Sequence, residues 1–228
     1  IHNLSCEGMK VNLPELKVTV FSEYICPFCY VGYHRLMSLR DQYDLKNNWR
    51  FLEIHPKTTA EGEPVASLEY PSEQWNQMMQ NLEAVARQEG ITMAEHNFTT
   101  NSRDALLLSE AAKEQGREKF YTLHEKLFAA FFVDGKNIGD RTILRELAAE
   151  STIDEQAVEL AWQDNKYQQR INANYHEARH HEIQAVPSFI FGDRKLTGVV
   201  PENTMRSAAM ELFSSGSDQQ AGSRQNKT

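Results

Sequence analysis

Leu16-Lys17-Val18-Thr19-Val20-Phe21, then Ser22-Glu23-Tyr24-Ile25, then Cys26-Pro27-Phe28-Cys29-Tyr30-Val31-Gly32-Tyr33 is the stretch whose reading decides the fold. Up to Phe21 apolar and polar residues alternate, and Val18, Thr19 and Val20 favour extended backbone, so a strand runs straight toward the two cysteines. Beyond Cys29, Val31, Leu36, Leu39 and Tyr43 recur at near-helical intervals, with Tyr33 and Met37 beside them, and the spacing predicts a helix over 27–43. The cysteine pair therefore stands where strand gives way to helix. Residues 48–55 are rich in aromatic and apolar side chains and stop at Pro56, which makes them a second strand. A strand-helix-strand unit of this kind closes as a right-handed crossover with its strands parallel.

Further along the chain, 57–71 is rich in Pro, Gly, Thr and Glu without periodicity and reads as a surface connection. Ser72 can cap a helix whose apolar face holds Trp75, Met78, Leu82, Val85 and Ala86 and which ends at Gly90. Asn101 or Ser102 can cap the next, which carries Leu106, Leu107 and Leu108 to Gly116; 117–132 and, after an Asp140 cap, 141–150 follow as helices. With no Gly or Pro, 154–181 reads as one long helix. Strands return at 188–191 and 195–200 as an antiparallel hairpin joined by Gly192-Asp193-Arg194, and Pro201 opens a last helix to Phe213. The fold class is α/β: a thioredoxin-like fold, 9–56 with 154–213, carrying an inserted α-helical domain over 57–153. The aperiodic 1–8 reads as an extraneous or leader segment, and the polar 214–228 as a disordered tail.

The 228 residues are 40% hydrophobic and 25% charged, as in an ordinary soluble globular protein. A net charge of -8 argues against phosphate backbones and anionic membranes, so neither nucleic acid nor membrane is an expected partner. No stretch approaches the roughly 18 to 20 apolar residues of a membrane span. With Met9 as the natural start and no signal-like opening, a cytoplasmic location is the expectation. Cys6, Cys26 and Cys29 are too few for a secreted disulfide scaffold, which points to chemistry.

Disulfide exchange needs one sulfur that ionises and attacks, and a second within reach to resolve the mixed disulfide. At a helix start the free backbone N–H groups and the positive end of the dipole favour a thiolate on Cys26. Pro27 sits at a first helical position, where its missing N–H leaves no bond unmade. Cys29, one turn inside, is the more buried and less acidic resolving thiol. Phe28 brings no positive charge to the thiolate, which predicts a moderate oxidant. A structural zinc site needs about four ligands, and Cys6 is distant while His34 shares the helix of the pair, so no metal is expected and no cofactor is implied. The second signal is Val186-Pro187-Ser188-Phe189. Proline lowers the cost of a cis peptide to ~0.5–1 kcal/mol. A cis turn here presents the Val186 backbone to an extended substrate; the other reading of Pro187 is an ordinary strand-initiating proline.

Phe21-Ser22-Glu23-Tyr24-Ile25-Cys26-Pro27-Phe28-Cys29-Tyr30, with Ala185-Val186-Pro187-Ser188-Phe189 downstream, resembles the DsbA-like oxidoreductases and more closely their FrnE-like branch, relatives of 2-hydroxychromene-2-carboxylate isomerase and kappa-class glutathione transferase. The resemblance extends through Asn101-Ser102-Arg103-Asp104-Ala105, Leu127-Phe128-Ala129-Ala130-Phe131-Phe132, residues 134–140 and Gly198. It implies a thioredoxin fold with an inserted helical domain, a redox dithiol at Cys26 and Cys29, and a cis proline at Pro187. The substrates it implies are protein or small-molecule disulfides and thiols, glutathione among them. Leu106 stands where the branch commonly has His, and Ala185 where it often has Gly. The rival readings are a glutathione-dependent transferase or isomerase, which usually carries Ser in place of Cys26, and a redox-inactive binding or chaperone module.

Four other groups carry two readings each. Glu23 can accept a proton or oppose the thiolate by like charge, but a solvated loop carboxylate is the preferred reading. His34 is preferred as a surface or satisfied histidine. His176, His180 and His181 can share a helix face, and a polar helix end is preferred over a metal site. Trp75, Met78 and Met79 can line a peptide groove, with helix packing preferred.

Overall fold

A computed structural model of the chain describes residues 13–94 and 97–222. The strand running toward the cysteines is β1 (Glu15–Ser22), and α1 (Pro27–Met37) starts one residue after Cys26. The helix expected to continue to 43 tightens into a 3-10 turn at Ser38–Asp41, where the Ser38 hydroxyl donates back to the Arg35 carbonyl at 2.8 Å. β2 (Asp44–Phe51) lies parallel to β1, in register from Glu15 opposite Asp44 to Ser22 opposite Phe51. It starts and stops four residues before the predicted span because Leu45, Trp49 and Phe51 point inward between polar residues whose strand preference is weak.

Beyond β2 the chain leaves the sheet. β3 (Glu63–Pro64) and β4 (Phe98–Thr99) form a short antiparallel pair that brackets α2 (Ser72–Gln88), too brief to leave a sequence pattern. α3 (Arg103–Ala112), α4 (Arg117–Phe132) and α5 (Arg141–Glu150) follow, and the Asp140 carboxylate caps α5 by accepting from Thr142 N at 2.7 Å. The stretch read as one helix is two, α6 (Glu155–Gln163) and α7 (Asn165–His180). At Asp164 the backbone turns extended and its carboxylate accepts from Lys166 N at 2.9 Å, so a side-chain cap displaces the helical ladder. The break lets α6 lie on α3 while α7 reaches β2, where Asn174 Nδ2 donates to the Phe51 carbonyl at 3.2 Å.

β5 (Ser188–Phe191) and β6 (Arg194–Thr197) form the expected hairpin, and the four-stranded sheet runs β2-β1-β5-β6 with β5 antiparallel to β1. The last helix, α8 (Glu202–Gly222), passes the Phe213 boundary at which disorder was expected, the Ser214 hydroxyl bonding the Met210 carbonyl one turn back at 3.1 Å. Residues 1–12, with Cys6 and the expected leader, and residues 223–228 lie outside the described residues. The result is a mixed α/β thioredoxin fold with a large helical complement. The helical part seats on the core through α4: Phe128 meets the Tyr24 ring edge-on at 5.0 Å and Phe132 stacks on Tyr30 at 5.1 Å. Each such pair contributes about 0.5–1.5 kcal/mol beyond its burial, which gives the aromatic run at the end of α4 a structural role beside the dithiol. Among the described residues no helix is long and apolar enough to cross a membrane.

Candidate active site

Cys26 is the N-cap of α1 and Pro27 its first helical residue, as the spacing predicted. The Cys26 carbonyl accepts from Cys29 N at 2.9 Å and from Tyr30 N at 3.2 Å, which winds the two cysteines onto the same turn. They approach to 3.4 Å. Cys29 is the more buried of the two, as expected, but Cys26 is itself only 5% exposed against 1% for Cys29. Its access comes from a cleft that it lines, not from a raised position on the surface. Cys29 has no such opening, and burial with Cys26 beside it pushes its thiol well above the ordinary value, opposed by hydrogen bonds from the Glu23 backbone and the Ser22 side chain.

Opposite the dithiol, the Val186-Pro187 peptide is cis and the Val186 carbonyl lies 3.8 Å from Cys26 Sγ. Gly32 permits this approach: a Cβ there would stand 3.0 Å from Phe189 and 3.1 Å from Pro187.

Glu23 is not the solvated carboxylate preferred from sequence; it is completely buried. Its Oε1 accepts from Tyr24 N at 2.6 Å, and its Oε2 from the Ser102 hydroxyl at 2.9 Å and Ile54 N at 3.3 Å. All three bonds favour the charged form, but removal from water opposes it more strongly, and the carboxyl is pushed up from 4.5 to about 8. Ser102 stands at the N-cap of α3 without capping it, its hydroxyl being spent on Glu23 instead. Its neighbours hold the junction: Asn101 Nδ2 and Arg103 Nη1 each reach the Glu53 carboxylate at 3.2 Å.

The cleft encloses about 1070 Å³ between α1, the Val186 turn and α2. Trp75, Met78 and Met79 line it, so packing inside a helical core is not their whole role. Phe28 lines it as well, next to the thiol it was expected to tune.

A sequence profile of the DSBA-like thioredoxin domain matches residues 17–209. The chain belongs to that family. It is 28% identical over 195 residues to the uncharacterized protein YwbO of Bacillus subtilis strain 168, a match covering 84% of this chain and 94% of that one. It is similar in fold to the probable DsbA oxidoreductase SCO1869 from Streptomyces coelicolor, with TM-score 0.77 and 23% identity over 87% of this chain and 90% of the other. It also resembles 2-hydroxychromene-2-carboxylate isomerase, at TM-score 0.70 and 18% identity over 90% and 99% of the two chains. A third likeness is the cytosolic disulfide reductase DsbM from Pseudomonas aeruginosa, solved with GSH, at TM-score 0.61 and 15% identity over 90% and 100%.

Within this DSBA-like fold the remaining candidates stay apart from the dithiol. His34 is exposed on the outer face of α1, its ring edge-on to Tyr30 at 4.8 Å. His176 bonds Arg179 and His181 approaches Glu177 at 3.7 Å, and among the described residues no three His, Cys, Asp or Glu side chains are grouped to hold a metal. Sequence reasoning missed Ser102 as a partner of Glu23, Ser22 beside Cys29, and the pair His55 and Tyr70 at the cleft. The Phe21–Tyr30 and Asn101–Ala105 patterns marked Ser22 and Ser102 by family resemblance, without their roles; nothing marked His55 or Tyr70.

Proposed function

We propose that the protein is a thiol-disulfide oxidoreductase that forms a mixed disulfide on Cys26 and resolves it with Cys29. The observation that carries this reading is the N-cap position of Cys26, 3.4 Å from Cys29 and lining a cleft that Cys29 does not reach. The Cys26 thiolate attacks a substrate disulfide R–S–S–R′, the bond to R forms, and R′–S⁻ leaves with the electron pair. The Cys29 thiolate then attacks Cys26 Sγ, R–S⁻ leaves, and the protein carries the disulfide while the substrate is reduced. Run in reverse, the same two steps oxidise a substrate dithiol.

The second step needs the Cys29 proton to leave, and burial makes that thiol a poor acid. In this scheme the ionised form of Glu23 takes that proton, a form that burial makes the minority below about 8; its carboxyl lies in the same buried floor and its backbone against Cys29. Val186 supplies backbone hydrogen-bonding groups to an extended substrate, and Pro187 fixes their direction. Protein disulfides and small-molecule disulfides, glutathione included, are the substrate classes; the GSH in the DsbM structure supports the second.

Reduction of insulin by a dithiol, followed with wild type and Cys26→Ser, tests the reading. Wild type accelerates reduction and Cys26→Ser falls by more than ~100-fold, to the uncatalysed rate. Equal turnover by the two proteins overturns it.

A further inference from the structure

His55 and Tyr70 both line the cleft that holds Cys26, and they meet there. His55 follows β2, one residue after Ile54 reaches Glu23, and Tyr70 belongs to the connection into α2. The Tyr70 hydroxyl is 3.2 Å from His55 Nε2, and its ring stacks on Trp75 with centroids 5.0 Å apart and planes 9° from parallel. Tyr70 is nevertheless 44% exposed, and it lines the same cleft as Cys26. A large aromatic left at the surface, yet held at both its face and its hydroxyl, is placed for its polar end and not for burial. Burial, and after it the Cys26 sulfur, holds the phenol above its ordinary value, so Tyr70 keeps its proton. Burial also lowers the His55 imidazole, opposed by Glu63, which favours a neutral ring beside that phenol.

Resting on the oxidoreductase reading, we propose that Tyr70, stacked on Trp75 and accepting from His55 in its Nε2–H tautomer so that its own O–H stays free, donates a hydrogen bond to the substrate sulfur that leaves as Cys26 attacks. A disulfide bonded to Cys26 extends ~2.05 Å from Sγ to the next sulfur, and the departing sulfur lies beyond that, on the open side of the cleft. As the S–S bond breaks, R′–S⁻ takes the electron pair, accepts the Tyr70 O–H bond, and later picks up a proton from water; Tyr70 remains neutral. In the opposite direction the same bond holds an incoming substrate thiolate in line with the mixed disulfide. A hydrogen bond to a charged sulfur matters most where that sulfur is a poor leaving group.

Stopped-flow reaction of the fully reduced protein with two disulfides tests this: glutathione disulfide, whose alkyl thiol leaves poorly, and an electron-poor aromatic disulfide, whose thiol leaves readily. Tyr70→Phe keeps the ring on Trp75 and removes only the hydroxyl. It slows attack on glutathione disulfide about tenfold and on the aromatic disulfide less than twofold, as loss of one charge-assisted hydrogen bond requires. Equal slowing on both, or none on either, overturns the assignment. Failure of the wild type to react with either disulfide at Cys26 counts against the oxidoreductase reading instead.

Discussion

The floor beneath the dithiol and the wall above it are built on opposite principles. The floor buries polar groups and bonds them: the Glu23 carboxyl accepts from Tyr24, Ser102 and Ile54, and Cys29 rests against the Ser22 side chain and the Glu23 backbone. The wall exposes apolar surface: Trp75, Met78 and Met79 line an open cleft. The floor uses fixed bonds from β1, the end of β2 and the start of α3, where a displacement leaves a buried polar atom unpaired. The wall uses flexible thioethers on a single helix, where displacement costs little. In the proposed mechanism proton handling belongs to the floor and substrate fit to the wall, so each is expected to be alterable without the other.

The largest effect that separates them comes from the floor. Cys29→Ser lowers multiple-turnover insulin reduction by more than ~100-fold while leaving the first attack intact, because only resolution is lost; loss of both steps would merge the two regions. Glu23→Gln slows resolution of the mixed disulfide by about tenfold, within the range of a removed general base, and leaves the first attack within twofold. Its second signature is thermodynamic. The folded protein holds the Glu23 proton up to about 8 while an unfolded chain releases it near 4.5. Between those values the native state binds this proton and the unfolded chain does not, so the stability contributed by Glu23 is fully present below 4.5 and is lost as pH rises through 8. Denaturant melts across that window show wild type losing stability relative to Glu23→Gln as pH rises; parallel curves for both proteins would remove Glu23 from the account.

Smaller effects belong to the wall. Trp75→Ala and Met78→Ala raise KM for a peptide disulfide several-fold with kcat within twofold, the pattern of lost uniform binding. Phe28→His, which places a cationic group by the thiolate, makes the dithiol more oxidising, starting from a wild-type potential more negative than about -120 mV; equilibration with glutathione measures both.

The wall and the floor also differ in how far the chain discloses them. Alternation in β1, helical spacing after Cys29 and the Val186-Pro187 pair are local patterns, and they led to the crossover unit, the dithiol at a helix start and the facing proline. The predicted β2 boundary failed because Asp44, Lys46 and Asn48 carry little strand preference and are held there by register with β1. The single helix read across Asp164 failed because an aspartate inside a helix and one capping the next turn look alike in sequence. Glu23 was misread for a different reason: its burial depends on Ser102, 79 residues downstream. Trp75 and Met78 obey helical spacing whether that face meets a core or a cleft, and only the position of α2 over Cys26 distinguishes the two.

The central claim, that Cys26 attacks and Cys29 resolves, is tested most directly by intact-mass analysis of Cys29→Ser and Cys26→Ser after brief exposure to a substrate disulfide. Cys29→Ser accumulates one covalent adduct, mapped by peptide sequencing to Cys26, and Cys26→Ser forms none on the same timescale. An adduct on Cys29 in Cys26→Ser, or none in Cys29→Ser, contradicts it.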